Sequence, residues 1–192
     1  MSVRCTQLVM MADTRVGGLI QTFPRVVRLE LSWTSLDNNR RVTADDVDKI
    51  SFTPFQNFSS TLKSLHTAAL FLPYRQIFNL VLSSPLLEEL TLSGRSLLSS
   101  DGDDSHGSQT MVSLIPPALT GSLELHVLGG VGYPTRRLLG LPGGLHFRKL
   151  ALSLFQEDDI RWITELVARC VDTLECLDVD CHPPCAFVLV LR

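Results

Sequence analysis

The sequence predicts an α/β fold built by repetition, a solenoid with parallel strands on a concave face and helices on a convex one. Three observations carry that expectation. Leucine supplies 34 of the 192 residues while aromatics supply 7%, which favours one small aliphatic unit used many times over a mixed aromatic core. A pattern of the form apolar-x-x-Leu-x-apolar returns along the chain. Segments with helical spacing lie between its copies, so strand and helix alternate.

In chain order the copies are Val26-Val27-Arg28-Leu29-Glu30-Leu31, Leu62-Lys63-Ser64-Leu65-His66-Thr67, Leu87-Glu88-Glu89-Leu90-Thr91-Leu92, Phe147-Arg148-Lys149-Leu150-Ala151-Leu152 and Leu174-Glu175-Cys176-Leu177-Asp178-Val179. Thr67 fits least well. A shorter match, Leu123-Glu124-Leu125, follows Ala118-Leu119-Thr120-Gly121-Ser122. The central leucines Leu29, Leu65, Leu90, Leu123, Leu150 and Leu177 are 36, 25, 33, 27 and 27 residues apart. Three of these five intervals fall in the range of about 20–29 residues used by leucine-rich repeats, and the two longer ones hold polar insertions. The expected architecture is therefore leucine-rich-repeat-like, with parallel strands because the chain must return to the same edge after each helix.

Helices are expected at three places. After Leu65, Pro73 opens Tyr74-Arg75-Gln76-Ile77-Phe78-Asn79-Leu80-Val81-Leu82, with Ile77, Leu80 and Val81 at helical spacing and a stop near Pro85. A shorter helical turn runs from Pro134 to Leu139 and closes at Gly140 and Pro142-Gly143-Gly144. The clearest helix follows Asp158 and Asp159 and runs from Ile160 to Cys170, with acids at its positive start and Arg169 near its negative end.

Two stretches interrupt the rhythm. Asp37 to Ser60 is polar, with a short helix expected near Ala44–Ile50, and Ser99 to Ser108 has almost no apolar content and reads as a loop. The chain divides into an N-terminal segment, residues 1–22, a leucine-rich-repeat-like domain over 23–181 with polar insertions at 37–60 and 95–117, and an irregular tail over 182–192. That tail stops mid-pattern, as a fragment of a longer, truncated solenoid would.

Charge narrows the function classes. Residues 1–96 carry ten Lys/Arg against eight Asp/Glu, and 97–192 carry seven against twelve, so +2 and −5 make the net −3. No basic stripe exists to neutralise a phosphate backbone, which argues against nucleic acid as a partner. No run of 18 apolar residues occurs, so no membrane span is expected. The first residues lack a secretory core, and the five cysteines, an odd number with four near the end, do not read as a disulfide framework. A reducing compartment, cytoplasmic or nuclear, is expected.

Site-like clusters resolve into structural readings. Asp101, Gly102, Asp103 and Asp104 lack the terminal bidentate Glu of a calcium loop. Cys176, Cys181, His182 and Cys185 offer four soft ligands within ten residues, but they overlap a strand and lack the separated knuckles of structural zinc, so buried thiols beside the Pro183-Pro184 turn are the stronger reading. No nucleophile elbow or phosphate loop occurs, and Gly129-Gly130-Val131-Gly132 reads as turn glycines. Trp33 and Trp162 read as packing residues, and Arg136-Arg137 and Arg148-Lys149 as solvated faces. No enzyme activity, metal or other cofactor is expected, with a small hydrolase the weakest of the alternatives.

The stretches Ser84 to Gly94, Ala118 to Leu125 and Gly144 to Leu152, and the helix Trp162 to Cys170 followed by Thr173 to Val179, resemble the divergent leucine-rich-repeat regions of fungal F-box-like proteins, over roughly residues 20–181. The resemblance implies a non-catalytic module that recruits a protein for ubiquitination by a cullin-type ligase. Such proteins also carry an F-box that grips the ligase adaptor. No Leu-Pro-x-Glu-Leu-like F-box precedes Phe23, so an adaptor contact would need an F-box outside this chain. An adaptor-independent scaffold, or a truncated product with no activity of its own, is the alternative.

Strand geometry names the expected recognition face. The leucines of each strand point into the core, so the residues between them line the concave side. The candidate protein-binding residues are Glu30, Ser32, His66, Glu89, Thr91, Ser93, Glu124, His126, Lys149, Ser153, Asp178 and Asp180, flanked by Arg28, Ser64, Ala68, Ala151 and Cys176. The row turns acidic toward its end, which suits a partner with a basic patch.

Overall fold

Successive side chains of a strand point to opposite faces, so the last two apolar positions of each copy must share one face and bury together. The computed structural model of the protein describes residues 2–6, 25–33, 53–69, 74–95, 119–141, 143–154, 156 and 158–181, and shows that arrangement. Seven strands form one sheet: β1 (Ser2–Thr6), β2 (Arg28–Trp33), β3 (Ser64–Ala69), β4 (Glu89–Arg95), β5 (Ser122–Leu128), β6 (Lys149–Leu154) and β7 (Cys176–Cys181). Every neighbouring pair is parallel, and the order in space is the order in the chain.

The register is regular. Leu29, Leu65, Leu90, Leu123, Leu150 and Leu177 are Cα partners in turn, and Leu31, Thr67, Leu92, Leu125, Leu152 and Val179 form a second ladder two residues on. From β2 to β6 every member of both ladders is 1% exposed or less, so the two rows are the inner wall of the core. Thr67, the poorest match to the pattern, is buried with them, and its hydroxyl donates to the Thr91 carbonyl at 3.4 Å. The ladders lose cover at β7, where Leu177, Val179 and Cys181 are only half-buried.

A third ladder runs through the backbone just before the strands. The Lys63 amide donates to the Val27 carbonyl, Glu88 to Lys63, Gly121 to Glu88, Arg148 to Gly121 and Glu175 to Arg148, at 2.8 to 3.0 Å. Each strand entrance is thus tied to the one before it, which satisfies backbone groups that a loop would otherwise leave to water. Two corners share a further device. Thr61 Oγ1 donates to the Val26 carbonyl at 2.9 Å and Thr173 Oγ1 to that of Phe147 at 3.1 Å, each before the strand that follows. The matching sequences Thr61-Leu62-Lys63-Ser64-Leu65 and Thr173-Leu174-Glu175-Cys176-Leu177 carry that signal openly.

Among the described residues three α-helices complete the core: α1 (Tyr74–Ser83), α2 (Gly132–Leu139) and α3 (Asp159–Cys170). Ile77, Phe78, Leu80 and Val81 of α1, Leu138 of α2 and Ile163 and Leu166 of α3 join the strand leucines in one cluster. α2 begins two residues before the expected Pro134, at Gly132. A 3-10 helix, Thr53–Phe58, lies inside the stretch read as a polar insertion, and its Phe55 and Phe58 are buried. Polar composition around them hid two core aromatics.

The N-terminal segment also differs from expectation, because β1 pairs with β2, placing Val3 opposite Leu29 and Cys5 opposite Leu31. A strand without leucine offered no marker to the repeat pattern. The second insertion returns to the core at Leu119, whose φ of 40° is unusual for a residue with a Cβ and whose side chain is fully buried. The expected helix near Ala44–Ile50, the loop Ser99 to Ser108 with its Asp101, Asp103 and Asp104, the side chain of Trp33, and the tail from His182 lie outside the described residues.

Candidate functional site

The face of the sheet opposite the helices carries the residues expected to bind a partner, and the register sets them in rows across the strands. One row is Glu30, His66, Thr91, Glu124, Ala151 and Asp178. Two residues further along, Ser32, Ala68, Ser93 and His126 are partners in turn, and Ser153 pairs with Asp180. Glu89 pairs with Ser64, and Lys149 lies between Ser122 and Cys176, in the row at the strand starts. All twelve candidates therefore stand on one surface, although they come from six separate segments of chain.

Their exposure is uneven. Glu89, His126, Lys149, Asp178 and Asp180 are exposed, while Glu30, Ser32, His66, Thr91, Ser93 and Glu124 are half-buried. Ser153 is the correction: at 3% exposed it is a buried residue and offers no docking surface. Its one-carbon side chain stands between the strands of His126 and Asp180, and its hydroxyl is 2.7 Å from His126 Nδ1. A serine hydrogen-bonded to histidine is also the beginning of a nucleophilic pair, but attack needs an accessible oxygen and convergent oxyanion donors. Burial at that level makes the contact a pin between β5 and β6.

Other side chains on the face are also held. Arg28 Nε donates to Glu30 Oε1 at 2.9 Å, an exposed ion pair that positions both groups and adds little stability. Thr91 Oγ1 donates to Glu124 Oε2 at 3.2 Å, fixing a carboxylate beside the small Ala151. Asp178, on the far side of Ala151, makes no ion pair among the described residues. The acidic end of the face is thus partly pre-positioned and partly free to meet a cation.

Cysteine placement follows from strand parity. Cys176 and Cys181 are five residues apart in β7, so they point to opposite faces, the first exposed and the second half-buried. His182 and Cys185, the other members of that cluster, lie outside the described residues. Among the described residues no group of three or more His, Cys, Asp or Glu side chains is placed to hold a metal ion. Likewise, no helix among them is long and apolar enough to cross a membrane.

Cys170 ends α3 in the core, where burial pushes its pKa above the ordinary thiol value and a hydrogen bond to the Phe147 backbone pulls it partly back. A thiol that keeps its proton longer when folded contributes stability that is complete below the unfolded pKa. That contribution is lost as pH rises through the unfolded value toward the folded one. Thiol labelling of the native protein at neutral pH is expected to modify exposed Cys176 readily and Cys170 only on global unfolding. Stability should decline above about pH 8.5, and Cys170→Ala should remove that part of the decline. Labelling of Cys170 as fast as Cys176 would show that α3 does not bury it.

The loop before α2 shows what the glycine run is for. Gly130 has a φ of 104°, and an added Cβ there would fall 3.0 Å from Gln156 Oε1 and 3.2 Å from Asp159 Oδ1. The next amide, Val131 N–H, donates to Asp159 Oδ1 at 2.7 Å, while Gln156 N–H donates to Asp159 Oδ2 at 3.3 Å. Asp159 is 2% exposed. The acid expected to serve only its own helix dipole thus clamps the preceding loop, whereas Asp158 makes no capping bond.

Compared with protein-family models, curated proteins and solved structures, the chain finds no match in any of the three.

Proposed function

We propose that this chain is a leucine-rich-repeat-type solenoid segment whose open strand face docks another protein, as the repeat region of F-box-like proteins recruits a target for ubiquitination. The observation that carries the reading is the combination of a chain-ordered parallel sheet with in-register leucine ladders and a second, polar face. Sheets made only of parallel strands are ordinarily covered on both sides. Here the outward rows hold Glu89, His126, Lys149 and Asp178, all exposed. A broad surface of mixed polar groups fits a macromolecule better than a small substrate. Its acidic end favours a partner with a basic patch.

Photo-crosslinking groups placed at His126 or Asp178, and at Thr164 on the exposed side of α3 as a control, test this in a lysate of the native host. The expected result is one polypeptide captured from both strand positions, not from Thr164, and displaced by unlabelled protein. Glu89→Lys with Asp178→Lys should weaken its capture about tenfold or more while the unfolding midpoint stays put, since both side chains are exposed. Capture from Thr164 alone, or capture insensitive to the double variant, would remove the strand face as the docking surface. Recovery of the target without a ligase adaptor would favour the scaffold reading over ligase recruitment.

A further inference from the structure

The sheet begins at β1 and ends at β7, and among the described residues each of these strands has a neighbour on one side only. A free strand edge presents the N–H and C=O groups through which one chain adds a strand to another. The β7 end is also apolar. Leu177 and Val179 are half-buried where their partners Leu150 and Leu152 in β6 are covered, and Val171, at the end of α3, is 66% exposed. A solenoid end of this kind calls for a polar cap or for another unit stacked upon it.

The other end of the same sheet matches it. Val3 and Cys5 hold the register positions of Leu29 and Leu31, so β1 continues both leucine ladders, and Arg4 stands in the row that runs from Glu30 to Asp178. One further step of the same parallel register, from β7 to the β1 of a second copy, sets Val3 against Leu177, Cys5 against Val179 and Arg4 against Asp178. Asp178 makes no ion pair among the described residues, so its charge is available to that cation. The wider charge agrees: residues 1–96 carry +2 and 97–192 carry −5, which makes head-to-tail approach attractive. Two other occupants lack this match. Antiparallel pairing of β7 with a second β7 sets residues of one face opposite each other, so Asp178 would meet Asp178 or Asp180. The chain's own Ala186 to Leu191 carries no charge to meet either aspartate.

We propose that copies of this chain associate head to tail, the β1 edge of one copy pairing in parallel with the β7 edge of another. Such a contact joins two different surfaces and leaves one of each free, so it repeats into a ring or an open filament and does not stop at a dimer. The junction uses the edges of the sheet and leaves the polar strand face open, so it does not rest on the docking role proposed for that face.

Light scattering of the full chain over a dilution series is the first measurement. The expected result is a mass that rises with concentration past that of two copies, falls in high salt, and needs at least tenfold more protein in Asp178→Arg. A crosslink then reads the register. Ser2 and Cys176 are both exposed and occupy one row, so the junction brings them to adjacent strands about 4.8 Å apart, within disulfide reach. Within one copy six strand spacings, about 29 Å, separate them, so any bond joins two copies. Mild oxidation of Ser2→Cys should give a ladder of covalent oligomers in which the introduced thiol is joined to Cys176, and the ladder should vanish when Cys176→Ser is added. Amide exchange gives a third measurement: the β7 amides that point away from β6 should exchange freely in dilute protein and gain protection as concentration rises. A monomer mass at every concentration would overturn the proposal. So would an assembly whose crosslinks join Cys176 to Cys176, which would pair β7 with itself, or β7 amides protected equally at every dilution, which would assign the edge to the chain's own tail.

Discussion

Leu90→Ala is expected to lower the unfolding free energy by about 3–5 kcal/mol, read from the urea midpoint at constant slope. Leu90 is fully buried, with Leu65 and Leu123 as its partners on either side. Removing its branch takes away the transfer energy of the lost carbons and opens a cavity that two neighbouring strands, locked by backbone hydrogen bonds, cannot close. Because a domain of this size is stable by only about 5–15 kcal/mol, the loss removes a large share of the total and should shift the unfolding midpoint clearly. Leu177→Ala occupies the same place in the ladder at β7, where the side chain is half-buried, and should cost clearly less. Equal losses at the two positions would contradict the gradient of burial toward β7.

Asp159→Ala is expected to cost about 2–4 kcal/mol, against almost nothing for Asp158→Ala. The Asp159 carboxylate accepts from the Val131 and Gln156 amides, and the first of these bonds is buried. Deleting it strands a desolvated N–H, which costs more than the bond itself contributed. Asp159→Asn keeps an acceptor oxygen but adds donors against two N–H groups, so its loss should be intermediate. Amide exchange gives a local readout: Val131 should lose protection in Asp159→Ala before the β5 amides do. A Val131 amide that exchanges no faster in the variant would show that the clamp does not hold the loop.

The contrast between these two aspartates shows how far sequence reading reaches. Adjacent acids at the start of α3 are indistinguishable by pattern, since both suit a helix dipole. Only the path of the chain two segments earlier, which brings Val131 within 2.7 Å, separates a buried clamp from an exposed neighbour. Ser153 teaches the same lesson on the sheet. Parity placed it correctly on the outward face, yet its exposure depends on the longer residues of the flanking strands. The leucine ladders were legible because a period-2 pattern with one invariant aliphatic position declares face and register together. β1 was not legible because Val3 and Cys5 follow the alternation without the leucine.

The sequence by itself determined the α/β alternation, the strand faces and the six leucines that pair across the sheet, because each follows from local spacing within one segment. Only the tertiary structure decided the rest: β1 as a further strand, Phe55 and Phe58 as core, Asp159 as a clamp, and Arg136 and Arg161 on one indole. These depend on which segments become neighbours after loops of unequal length. The cost of closing such loops varies only slowly with their length, so the chain carries no local record of that proximity.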